Sequence, residues 1–260
     1  MPLLDLAKLV CLAAIWGGSF IFMRVAVPEL GPILTASLRV GLAAIALIGF
    51  AALRGVAMHW RRHLQPYLLV GITAGAFPFL CFTFAAQHLP AAYSAVLNST
   101  APLFGAVFSL FWLAERLTTG KVLGLILGMI GVAVLVGAGT LVLNRSTLLA
   151  AAACLAAAAS YALSSIIVKR LSFDHTRDAI DPIALATGSL AWGSLIMLPL
   201  LPFGLSAEVV STLPSLAAIG CILALALLSS ALAQVIFIPL IVRVGPTRAM
   251  SVTFLIPLFS

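Results

Sequence analysis

Two stretches decide the fold: Leu89–Phe104, LPAAYSAVLNSTAPLF, and Val244–Phe259, VGPTRAMSVTFLIPLF. They align without gaps at a separation of 155 residues, which pairs Pro102 with Pro257, Leu103 with Leu258 and Phe104 with Phe259. A second match lies upstream. Ala13–Arg24, AAIWGGSFIFMR, aligns with Ala158–Lys169, AASYALSSIIVK, at a separation of 145. Trp16 then faces Tyr161, Ser19 faces Ser164 and Arg24 faces Lys169. The ten-residue change in separation fits extra loop, DHTRDAID at 174–181, in the second half. Chance similarity between apolar helices would match leucines; here prolines, aromatics and cations match as well. In a very apolar chain, two related halves are the mark of a transporter.

The chain is 63% hydrophobic and 8% charged, with a mean hydropathy of +1.23, outside the range of soluble domains. A bilayer core of about 30 Å needs about 20 apolar residues as helix. Charge-free runs of that length recur and predict eight complete helices, at 6–26, 31–53, 66–87, 91–113, 121–142, 147–169, 182–203 and 215–242. A ninth begins near Pro246, and its fifteen or so residues rise only about 22 Å. The expected fold is an all-α membrane protein of two inverted five-helix repeats, 1–143 and 144–260. The parent would carry ten transmembrane helices, with this chain ending in the ninth. Residue 270 of that parent, 155 after Glu115, should be acidic or close to an acidic position.

The net charge of +7 is distributed for a membrane rather than for nucleic acid. With the N-terminus inside, the inner side receives Lys8, Arg54, Arg61, Arg62, Arg116, Lys121, Lys169, Arg170, Arg177, Arg243 and Arg248. The outer side receives Arg24 and Arg145, and Arg39 stays within a span. This bias predicts a cytoplasmic N-terminus. An odd number of helices per half also makes the second half run opposite to the first. The four cysteines, Cys11, Cys81, Cys154 and Cys221, fall inside expected helices and read as packing residues, not disulfides or ligands. The first helix carries Asp5 and runs too long for a cleaved signal.

Polar residues at membrane depth carry the functional information. In the fourth helix Ser94, Asn98, Pro102, Gly105 and Ser109 share one face. Pro102 has no N–H, so the Asn98 carbonyl loses its helical partner beside an amide side chain. Thr253 stands likewise four residues before Pro257. Paired interruptions of this kind point to a substrate site; kinks that only shape packing are the plainer alternative. The third helix adds Phe79, Thr83 and Gln87 below a kink at Pro78, Gln87 also suiting a cap. The eighth adds Ser230 and Gln234 with Phe237 near the same face. The first and sixth add Trp16 with Ser19 and Tyr161 with Ser164. The expected substrate site is therefore Trp16, Ser19, Arg39, Phe79, Thr83, Asn98, Pro102, Tyr161, Ser164, Ser230, Gln234 and Thr253. Aromatics beside hydroxyls suit an amphipathic metabolite or amino acid. Arg39 has two readings, snorkelling to the outer headgroups or meeting a substrate carboxylate in the cavity. Its counterpart at a separation of 150 is Ser189, so the charge is not symmetric.

No Asp or Glu lies deep in an expected span, which argues against a buried-carboxylate proton relay. All four histidines, His59, His63, His88 and His175, fall in loops, and no Gly-rich phosphate loop is present. No cofactor and no metal are expected, and a catalytic Asp pair, Ser–His pair or metal motif at membrane depth is missing. An intramembrane enzyme is thus the weakest reading. The pairs Gly71/Gly75 and Gly124/Gly128 predict close helix packing, within the protomer or across a homodimer.

These features together resemble the drug/metabolite transporter superfamily, in particular its EamA-type ten-helix permeases. The carrying residues are AAIWGGSFIFMR, Pro32 through Arg39, AAYSAVLNSTAPLFGAVFSLFWLAERLTTGKVLGLILGMIGV from Ala91, and VGPTRAMSVTFLIPLF. The family pattern of a proline, a Glu-Arg-Leu inner end and a glycine-rich fifth helix is met by Pro102, Glu115-Arg116-Leu117 and Gly124, Gly128 and Gly131. The chain departs from the pattern by stopping before a second acidic motif. The resemblance implies export of small metabolites, amino acids or drugs across a bacterial inner membrane by alternating access. It implies a cavity between the halves lined by the first, third, fourth, sixth, eighth and ninth helices. A non-transporting membrane subunit or a lipid flippase of the same superfamily is the second reading.

Overall fold

A computed structural model describes residues 3–112, 144–173, 180–205, 213–245 and 249–260, with isolated positions between 119 and 130. Six helices among the described residues are long and apolar enough to cross a bilayer. They are α1 (Leu3–Leu53), α2 (Leu64–Ala86), α3 (Ala91–Trp112), α4 (Arg145–Phe173), α5 (Pro182–Gly204) and α6 (Leu216–Val244). The described residues contain no strand.

The 51 residues of α1 would extend about 76 Å if straight, more than twice a hydrocarbon core. Gly31, at φ 71° and between Pro28 and Pro32, breaks the helix in a conformation that glycine alone adopts readily. Arg39 Nη1 lies 3.7 Å from Met23 Sδ, whereas sixteen residues of straight helix would separate them by about 24 Å. The two arms therefore run back along one another, and α1 comprises the first two expected spans.

Prolines and π turns interrupt the other helices. In α2 a π segment, Ile72–Ala76, precedes Pro78; the wider turn absorbs the hydrogen bond that Pro78 cannot donate. In α3 the helix stops at Asn98 and resumes at Ala101. Ser99 and Thr100 between them turn their hydroxyls back onto the carbonyls of Val96 and Leu97, each at 2.6 Å. In α6 a longer π segment covers Ala224–Leu232. The expected ninth α-helix is not what residues 251–259 form. They make two 3-10 turns, Ser251–Phe254 and Ile256–Phe259. Pro257 has no amide for Thr253, and the chain tightens to bonds such as Leu255 N to Val252 O and Leu258 N to Leu255 O.

Helix ends that the alternating topology puts on one side meet. Asp5 pairs with Arg243, and Arg170 donates to Trp112 O at 2.6 Å. At the opposite ends, Glu29 accepts from Ser215, and Arg24 donates to Ala86 O at 2.7 Å. Small residues set the closest approach. A Cβ on Gly71 would lie 2.4 Å from Ser189 O, so the α2–α5 packing is inside the protomer. The expected fifth helix at 121–142 lies for the most part outside the described residues. So do Glu115-Arg116-Leu117, Lys121, Gly128, Gly131, Glu208, Pro246, Arg248 and the 174–179 loop.

Candidate functional site

The helices enclose a cavity of about 740 Å³, part of it open to the outside, lined from α1, α2, α3, α4, α6 and the turns after Met250. Of the twelve expected residues, Trp16, Ser19, Arg39, Asn98, Tyr161, Ser164, Gln234 and Thr253 line it.

Four stand elsewhere. Thr83 is buried and spends its hydroxyl on Phe79 O and Leu80 O of its own helix, at 2.9 and 3.1 Å. Phe79 packs its ring under the Arg39 guanidinium, 3.8 Å from ring centre to Cζ. Ser230 sits behind Arg39 and accepts from its Nε at 2.8 Å. Pro102 lines a smaller cleft of about 240 Å³ with Gly105, Ser109 and Met250.

Asn98 is the most telling lining residue. It ends the first segment of α3 because Pro102 cannot continue the ladder. Its side chain is 4% exposed, and its Oδ1 has no hydrogen-bond partner. A buried unpaired carbonyl is costly, typically about 1–3 kcal/mol, unless a ligand or water satisfies it.

Arg39 does not snorkel. It is 3% exposed in the interior of the bundle. Besides Ser230, its Nη2 reaches Ser229 O only at 3.5 Å and its Nη1 reaches the weak acceptor Met23 Sδ at 3.7 Å. No carboxylate of a described residue pairs with it.

Aromatic rings complete the walls. Trp16 meets Phe237 edge-on at 4.9 Å, and Tyr161 stacks on Phe82 at 6.0 Å. Trp16 Nε1 donates to Ser229 O at 3.1 Å, and Ser229 Oγ donates back to Ile15 O at 3.2 Å. Phe82, Met23 and Ser165 line the cavity and were not among the expected residues. Phe82 had a signal in the sequence: it stands 155 residues before Phe237, the separation of the duplicated proline stretches. Met23 and Ser165 had none beyond helical position.

The sequence profile of the EamA-like transporter family matches residues 6–137 and 148–260. An uncharacterized inner membrane transporter of Escherichia coli K12, YedA, is 29% identical over 96% of this chain and 78% of its own length. The uncharacterized transporter YoaV of Bacillus subtilis is 26% identical over 73% of this chain; the match spans 64% of that relative, less than two thirds of it. A probable amino-acid metabolite efflux pump of Salmonella typhimurium is 29% identical over 74% of this chain and 60% of its own. One solved crystal structure superposes with a TM-score of 0.61 at 20% identity, covering 94% of this chain and 85% of that one; it supports the fold. The chain belongs to the EamA-like transporter family.

Proposed function

From that membership, we propose that the protein is a secondary transporter that exports small amphipathic metabolites, such as amino acids, across a bacterial inner membrane by alternating access. The observation that carries this reading is a cavity walled by aromatics and hydroxyls and lined by Asn98, whose buried Oδ1 has no hydrogen-bond partner. The names of the Salmonella and Escherichia coli relatives support the substrate class and the membrane. The substrate's apolar part packs on Trp16, Phe82, Tyr161 and Phe237, and a donor on its polar part bonds Asn98.

The architecture behind this is two inverted five-helix repeats, 1–143 and 144–260, in a ten-helix parent with the N-terminus cytoplasmic. Two facts support the repeat. Trp16 on Phe237 and Tyr161 on Phe82 are equivalent pairs under the separations of 145 and 155 residues. The π segments fall in α2 and α6, the third and eighth expected helices. Cysteines placed at His59 and Asn144 should label from opposite sides, with position 59 cytoplasmic; labelling of both from outside contradicts this topology. Any homodimer would use a face other than the Gly71 packing.

Purified full-length protein in liposomes, with no partner, should move metabolites. Lipid scrambling without metabolite flux would favour a flippase, and neither activity would favour a non-transporting subunit. Hydrolysis or group transfer on a lipid would be needed to revive the enzyme reading.

A further inference from the structure

Arg39 offers more donors than the protein satisfies. Its fork carries five N–H groups. One has a strong acceptor, Ser230 Oγ at 2.8 Å, and the outer nitrogens meet only the distant Ser229 carbonyl and a thioether. One face of the guanidinium is covered by Phe79, and Arg39, a residue 3% exposed, is among those that line the cavity. A buried cation without a counter-ion is unfavourable, and a planar guanidinium is shaped for a carboxylate held by two parallel bonds. No deep carboxylate among the described residues competes for it.

We propose that Arg39 makes the cavity selective for ligands bearing a carboxylate and closes it to organic cations. The inference rests on the cavity being the transport site and adds the charge of what it takes. A carboxylate ligand neutralises the fixed cation; an amine of the same size brings a second positive charge into the same desolvated space and is repelled. Ser189, the position that corresponds to Arg39 in the second half, directs its hydroxyl to Ala186 O of its own helix, so the selectivity comes from one half alone.

The test is binding of a matched series to the purified protein by calorimetry: phenylalanine, 3-phenylpropionate, phenylalaninamide and phenethylamine. We expect phenylalanine to bind most tightly and 3-phenylpropionate next, with the amide and the amine weaker than phenylalanine by about 10- to 100-fold, the scale of a lost charge-assisted pair. Arg39→Gln should erase the distinction, and Arg39→Lys should keep its direction with reduced affinity, since the charge remains and the fork is lost. Ser230→Ala, which leaves the cation in place, should preserve the preference. Amide and amine binding as well as phenylalanine would overturn the proposal, as would an Arg39→Gln protein that keeps the preference; the cavity reading would survive both. Absence of all binding together with absence of metabolite flux would remove the transport reading and this inference with it.

Discussion

Two junctions flank the cavity, built alike and finished differently. In one, the first arm of α1 meets the π segment of α6 through Trp16 and Ser229. In the other, α4 meets the π segment of α2, where Ser160 Oγ donates to Thr73 O at 2.8 Å. Each carries one aromatic pair, Trp16 on Phe237 and Tyr161 on Phe82. The difference lies in the helix that backs each junction. The second arm of α1 sends Arg39 across to Ser229 and Ser230. Helix α5 instead brings Ser189 and Gly193 against Gly71, backbone to backbone. A junction closed by a side chain leaves a charged group beside the cavity. A junction closed by backbone leaves no room for one and gains rigidity.

The largest expected effect breaks the backbone junction. Gly71→Ala puts a Cβ 2.4 Å from Ser189 O, an overpacking that should cost about 1–3 kcal/mol or block folding. Thermal unfolding in detergent measures it. Gly75→Ala, whose nearest neighbour would be Leu190 Cδ2 at 3.9 Å, should change stability by no more than about 0.5 kcal/mol. Equal effects at the two glycines would show that the α2–α5 contact is not the tight point.

A smaller effect sharpens the other junction. Trp16→Phe keeps an aromatic ring and removes the bond to Ser229 O, which should cost about 1 kcal/mol. Tyr161→Phe removes only the hydroxyl and keeps the ring stacked on Phe82, so its unfolding temperature should stay close to the wild-type value. A reversed order would mean that the junctions do not divide the work as described.

The smallest effect concerns pH at the Glu29–Ser215 end of the α1–α6 contact. Glu29, in the turn between the two arms of α1 and outside both spans, accepts from the Ser215 amide and hydroxyl, each at 2.7 Å. The backbone bond first, then the hydroxyl, hold its carboxyl below the ordinary value of 4.5. The folded state therefore binds this proton less readily than the unfolded chain. The stabilisation is complete above the ordinary value and is lost as pH falls through the lowered one. Glu29→Gln should lower the acid sensitivity of unfolding and leave other behaviour unchanged. An unaltered acid limb would assign that sensitivity to another group.

The span boundaries were legible because hydropathy alone sets them: α2, α5 and α6 begin and end, and α3 and α4 begin, within a few residues of expectation. The Pro102 interruption was legible because a proline states what it cannot bond. The π segments were not, since an extra residue per turn leaves no trace in a uniformly apolar run such as ALALLSSAL. Thr83 shows the limit of helical spacing as a guide: it lies on a buried face, and its hydroxyl bonds its own helix. The Asp5–Arg243 pair joins residues 238 apart, and nothing local to either residue announces the other.

The most direct test of the account is export of a mixture of the proteinogenic amino acids from proteoliposomes, comparing wild-type protein with Asn98→Ala at equal amounts of folded protein. The account predicts that the wild type depletes a subset of the mixture and that Asn98→Ala exports that subset at no more than about a tenth of the rate, the scale of one lost buried hydrogen bond. An Asn98→Ala protein that folds and exports at the wild-type rate would contradict it.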